Sequence, residues 1–104
     1  GKTILELGGN NAVIVSDSAD LDMAIPSIVF GAVGTAGQRC TSTRRIIVHE
    51  KVYDEVRDRL VKAYKQLGCK IGNPLDKNTL IGPLIDIHSV NAVNHAVEEV
   101  QKEG

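Results

Sequence analysis

A chain of 104 residues is one domain at most, able to bury a core but with little stability to spare. Its 12 basic and 13 acidic residues nearly cancel, so no global field draws it to nucleic acid or a membrane surface. One Phe and two Tyr are too few for base-stacking platforms, and no run of about 18 apolar residues is present to span a bilayer.

Two cysteines, Cys40 and Cys69, are fewer than a small secreted scaffold carries. A reducing, cytoplasmic compartment is expected, or a mitochondrial one in a eukaryote. The chain opens on Gly1-Lys2 with neither an initiator Met nor a signal-peptide pattern, and it stops at Gly104 straight after a helical pattern. Both ends read as cuts through a longer polypeptide.

In chain order, residues 3–7 form a short apolar run stopped by Gly8-Gly9, which predicts a buried strand and a tight turn. Residues 11–15 predict a second strand. Asp20 is the expected N-cap of a helix over 21–33 whose apolar positions cover so much of its circumference that it should be buried. Pro26 predicts a kink there or a late start. Gly31, Gly34 and Gly37 are expected to break this helix into the loop 34–40. Their G-x-x-G-x-x-G spacing follows a helix and is not the dinucleotide fingerprint.

Residues 44–49 predict a third strand, buried on both faces through Ile46, Ile47 and Val48. Residues 51–67 read as an amphipathic helix with Val52, Val56, Leu60 and Tyr64 on one face, ended by Gly68. A brief extended segment over 69–71 and a turn at Gly72-Asn73-Pro74 precede a loop over 76–84. The last helix is expected over 87–102, with Val90, Val93, Val97 and Val100 inward. The fold class is α/β: a partly parallel sheet flanked by helices, with strands 3–7, 11–15 and 44–49 in one sheet.

The chemistry-bearing residues are few. Glu6 closes one apolar strand and Cys40 closes a glycine-rich loop before another. Strand carboxyl ends of a parallel sheet form the crevice where ligands bind, and the loop can bring Cys40 to the same place. A thiolate there can capture an electrophile, and a carboxylate can activate water to release it. Each residue also has a plainer reading: Glu6 as a surface or ion-paired group, Cys40 as a small buried hydrophobe, the glycines as a helix stop. His49, His88 and His95 lack the spacing of a metal site, so none is expected. Cys69 fits a core or surface thiol.

Order and spacing together carry more. Glu6-Leu7-Gly8-Gly9-Asn10 resembles the glutamate signature of the aldehyde dehydrogenase superfamily. Gly37-Gln38-Arg39-Cys40 resembles its cysteine signature, and the separation, 40 − 6 = 34 residues, is the family's own. The acidic helix entry at Asp17-Ser18-Ala19-Asp20-Leu21-Asp22, the segment Ile71-Gly72-Asn73-Pro74 and Gly82-Pro83-Leu84 extend the resemblance over essentially the whole chain. Gly9-Asn10-Asn11 and Val33-Gly34-Thr35-Ala36-Gly37-Gln38-Arg39-Cys40-Thr41 look most like the antiquitin, or α-aminoadipic semialdehyde dehydrogenase, branch.

The resemblance implies roles. Cys40 would be the nucleophile toward an aldehyde, its backbone N–H half of an oxyanion hole, and Glu6 the general base that hydrolyses the thioester. Leu7 and Gly8 would lie beside the nicotinamide of NAD or NADP. Arg39 would pair with a substrate carboxylate, a structural ion pair being its other reading. Residues 1–104 would then be part of the catalytic, cysteine-bearing domain, with the cofactor-binding and oligomerisation domains elsewhere. The parent enzyme would be a homo-oligomer acting on a small-molecule aldehyde. The 104 residues alone would be inactive, hold no cofactor, and expose apolar surface through which they can self-associate. Two other readings stay open: a non-enzymatic remnant or interaction module, and a redox-sensing thiol domain using Cys40.

Overall fold

The computed structural model describes residues 1–104. Its elements are β1 (Asn11–Val15), α1 (Leu21–Val33), a 3-10 turn (Gly34–Gly37), β2 (Thr43–Val48), a 3-10 turn (Glu50–Val52) running into α2 (Tyr53–Leu67), a 3-10 turn (Gly68–Lys70) and α3 (Ile87–Glu103).

β1 and β2 pair in parallel, with Val13 opposite Ile46, Ile14 opposite Ile47 and Val15 opposite Val48. Side chains alternate across a strand. One face of the sheet therefore carries Val13, Val15, Ile46 and Val48, and the other carries Ile14 and Ile47. Both helices cover the first face: Val15 packs with Ile25 and Ile28 of α1 and Val56 and Leu60 of α2, and these five are the whole buried apolar core. The second face is bare, with Ile14 77% exposed. The β2 residues expected to be buried on both faces are thus half-buried on one, through Ile46 and Val48, because this chain supplies helices to one side only.

The expected strand over residues 3–7 does not form. Ile4, Leu5 and Leu7 are exposed, and the ladder ends with β1 and β2. A strand is stable only when its N–H and C=O groups find a partner strand, and no third strand lies beside it. The α/β class and the parallel pairing stand; the sheet has two strands, not three.

α1 begins where its cap dictates. Asp20 Oδ1 accepts from the N–H groups of Asp22 and Met23 at 3.0 and 3.3 Å, and the helix starts at Leu21 despite Pro26. Gly31 lies inside α1 and does not break it. Its missing side chain instead admits β2, since a Cβ there would stand 2.6 Å from Thr43 Oγ1.

Two further expectations change. The extended segment over 69–71 is a 3-10 turn reaching Lys70, with only Ile71 bridging to Ile81. The four valines of α3 do not face inward. No residue of α3 is buried, and Val93, Val97 and Val100 are more than half exposed. The amphipathic pattern is real, but no other element of the chain packs closely on it. Surface area records the same openness: 8247 Å², against roughly 5,700 Å² for a compact monomer of this mass.

With so little packing, α3 depends on its cap. Asp86 Oδ1 accepts from the Ser89 N–H at 2.8 Å, and that bond holds the Asp86 carboxyl below its ordinary value of 3.8. A carboxylate depressed in the folded state stabilises it above the unfolded pKa, and the contribution disappears as pH falls through the folded one. The first turn of α3 should therefore fray below about pH 4. Amide exchange at Ser89 followed against pH checks this. Protection that persists unchanged well below that range, or survives Asp86→Ala, would remove the cap from the account.

Candidate active site

The cysteine loop is built between the end of α1 and the start of β2. Thr35, Ala36 and Gly37 take φ of 54°, 53° and 72°. This left-handed turn is free for Gly but costs Thr and Ala roughly 1–2 kcal/mol each. Gln38 returns both its backbone N–H and its Nε2 to the Thr35 carbonyl at 3.1 Å. Its Oε1 accepts from the Ile85 N–H at 2.8 Å, tying the loop to a segment 47 residues away.

Next comes a closed turn around the cysteine. The Ser42 N–H donates to the Arg39 carbonyl and the Arg39 N–H donates to Ser42 Oγ, both at 3.1 Å. Ser42 is only 1% exposed, while the Cys40 thiol is free and exposed. The Cys40 N–H donates to no other group of the chain. An exposed sulfur beside an unspent N–H suits a group that captures a carbonyl and then holds a developing oxyanion.

The glutamate segment reaches this turn through Gly9 and Asn11. Asn11 Nδ2 donates to the Cys40 carbonyl at 2.5 Å and to the Ser42 carbonyl at 3.1 Å. Gly9 runs so close that a Cβ there would stand 2.6 Å from the Cys40 carbonyl oxygen. Glu6 itself is exposed on the unpaired segment, and no cavity of the structure is lined by both Glu6 and Cys40. The chain brings the two motifs into contact but does not by itself close a cleft over both side chains. Leu7 is 73% exposed, and a Cβ at Gly8 would meet no neighbour within 4 Å.

Arg39 turns toward α1. Its Nη2 donates to the Phe30 carbonyl at 3.3 Å, sharing that oxygen with the Gly34 N–H that closes the helix. Its guanidinium carbon stands 5.2 Å from the centre of the Phe30 ring, and its Nε is buried without a partner. Gly34 leaves the space that the guanidinium fills. Arg39 makes no ion pair. Cys69 is exposed, its Sγ donating to the Gln66 carbonyl at 3.3 Å.

Sequence reasoning placed the nucleophile candidate but gave no role to Asn11, Ser42 or the Gln38 tie. No local pattern marks the bonds of Asn11 to the Cys40 and Ser42 carbonyls or of Gln38 to Ile85, because their partners lie across the fold. The one signal in reach was a carboxamide two residues after Gly-Gly, at the opening of a strand.

The chain is similar to known proteins along its whole length. The aldehyde dehydrogenase family pattern matches residues 1–104. Over all 104 residues the chain is 59% identical to a putative aldehyde dehydrogenase family 7 member A1 homolog of Caenorhabditis elegans, covering 20% of it. It is 55% identical, again over its whole length, to α-aminoadipic semialdehyde dehydrogenase of Rattus norvegicus, covering 19%. The fold is similar to betaine aldehyde dehydrogenase of Staphylococcus aureus in complex with NAD+, with a TM-score of 0.89 and 32% identity over 95% of this chain and 19% of that one. The chain spans about a fifth of the length of these relatives. With all 104 residues inside the match, the chain belongs to the aldehyde dehydrogenase family.

Proposed function

We propose that the whole protein to which these residues belong oxidises an aldehyde to a carboxylic acid with NAD or NADP, and that Cys40 is the nucleophile. The observation that carries the reading is the exposed Cys40 thiol beside its unspent N–H, held against the glutamate segment by Asn11 and Gly9. A semialdehyde bearing an amino acid group is the favoured substrate, supported by the identity to the rat α-aminoadipic semialdehyde dehydrogenase. Arg39 spends one N–H on Phe30, and the rest of its fork suits a substrate carboxylate.

As thiolate, Cys40 Sγ adds to the aldehyde carbonyl carbon to give a thiohemiacetal, and the Cys40 N–H steadies the oxygen as it gains charge. Leu7 and Gly8 would border the nicotinamide, whose ring, when bound, would supply the acceptor for the hydride, the carbon-bound hydrogen with its electron pair, given up as the C–H bond of the adduct breaks. The acyl group then left on sulfur is a thioester. Glu6 takes a proton from water, the water oxygen attacks the acyl carbon, and the C–S bond breaks to release the acid and the thiolate. The cofactor-binding, oligomerisation and remaining catalytic parts fall to the residues beyond these 104, and this stretch alone is inactive in the proposal.

Roles in different steps separate under one substitution. Glu6→Gln in the full-length protein should leave a rapid burst of reduced cofactor, near one per site, followed by turnover slowed about 10²–10⁴-fold. Rapid mixing with aldehyde and cofactor measures both phases. A lost burst would move Glu6 to activation of the thiol, and unchanged steady turnover would end its assignment as base.

A further inference from the structure

Four atoms meet where the two motifs touch: the Cys40 carbonyl oxygen, the Ser42 carbonyl oxygen, Asn11 Nδ2 and the Gly9 Cα that leaves room for them. Both partners of Asn11 are carbonyls, which only accept, so chemistry alone fixes the carboxamide with its NH2 toward the loop. The two N–H bonds go to residues on either side of Thr41, and both ends of that short segment are thereby pinned. Ser42 is held in turn by its own two bonds to Arg39. Little freedom remains for the Cys40 Cα, although the Cys40 side chain itself is in solvent. No smaller side chain at position 11 could donate twice. Serine offers one O–H, and aspartate would aim a charge at two carbonyl oxygens.

Resting on the reading of Cys40 as nucleophile, we propose that Asn11 is a positioning residue for it. By anchoring the carbonyls of Cys40 and Ser42, Asn11 sets where the sulfur and the free Cys40 N–H stand relative to the bound carbonyl. It acts through the loop and touches no substrate. Misplacement of a reacting group by about 1 Å is enough to cost on the order of 10²-fold in rate. The loss should fall on the chemical step and spare substrate affinity, because both Nδ2 hydrogens are spent on the loop's own carbonyls.

The test uses the full-length protein and its Asn11→Ala, Asn11→Ser and Asn11→Asp variants, with aldehyde and NAD, and with NADP in parallel. Burst amplitude counts competent sites, so rates are compared per site and a smaller folded fraction drops out. Asn11→Ala should lower the per-site burst rate by about 10²-fold with KM for the aldehyde within about threefold. Asn11→Ser should recover at least about tenfold of that loss through its single donor, and Asn11→Asp should be slower than Asn11→Ala. If Asn11→Ala gives no soluble protein, the order of serine over aspartate decides. A per-site rate within about twofold of the parent in Asn11→Ala, or equal rates for serine and aspartate, would overturn the proposal. A loss confined to burst amplitude or thermal midpoint would overturn it as well, leaving Asn11 a structural residue. Cys40→Ala run alongside separates the two levels: turnover that survives it removes the nucleophile assignment itself, and the positioning role with it.

Discussion

Replacing Cys40 by alanine in the full-length protein is expected to lower kcat for aldehyde oxidation by on the order of 10⁴-fold or more. The size follows from the role. In the proposed mechanism, without sulfur there would be no thiohemiacetal, hence no covalent adduct from which hydride can leave and no thioester for Glu6 to hydrolyse. Neighbouring groups cannot substitute, because the Thr41 hydroxyl is a weak nucleophile at its ordinary acidity and Ser42 is buried with its Oγ accepting from Arg39. The fold should survive, since the Cys40 thiol is exposed and supports no packing. Cys69→Ala is the matched control, an exposed thiol bonded only to its own helix end. It should leave kcat within about twofold. Steady-state reduction of the cofactor with each variant, beside a thermal scan, reads both. Turnover in Cys40→Ala above a tenth of the parent would remove the covalent mechanism.

Ile28→Ala carries the largest expected cost to stability, about 2–5 kcal/mol. Ile28 is 1% exposed at the centre of a five-residue core that joins β1, α1 and α2. Removing its side-chain carbons loses their transfer from water and leaves a cavity that three elements cannot all close. Any further layer in the full-length protein leaves this site buried, so the cost applies there too. In the 104-residue chain, a loss of that size exceeds or consumes what so small a core supplies. Ile28→Val should cost only about 0.5–1.5 kcal/mol. Denaturant midpoints at constant slope give both values. A cost below about 1 kcal/mol for alanine would mean that α1 is not docked on the sheet as described.

Much of the chain was determined by its sequence alone. The bounds of β1 and α1 and the Asp20 cap follow from local rules: alternation, helical period, and a side-chain oxygen placed to accept from the first free N–H groups. Family membership followed as directly, from two motifs 34 residues apart. The parallel pairing of β1 with β2 and the burial of α1 also came out as expected; what failed were the inferences whose partner this chain does not supply. Residues 3–7 have the composition of a strand and nothing to pair with. Ile47 and the valines of α3 have the pattern of buried faces and are left in solvent. Apolar pattern reports that a surface is fit to be covered, and only packing decides whether something covers it.

The same division runs through the site. Cys40 and Glu6 could be put forward from the sequence because the proposed chemistry needs particular residue types. Asn11 and Ser42 could not, because a hydrogen bond spanning 31 residues leaves no trace in local order. Arg39 shows both sides: its charge and fork were readable, but its place over Phe30, in the space Gly34 leaves, exists only once α1 and the loop have met. Residue identity set what chemistry was available. Tertiary structure decided which carbonyls, helix ends and open faces each group would meet, since hydrogen bonds and close packing depend on distances that chain connectivity does not fix.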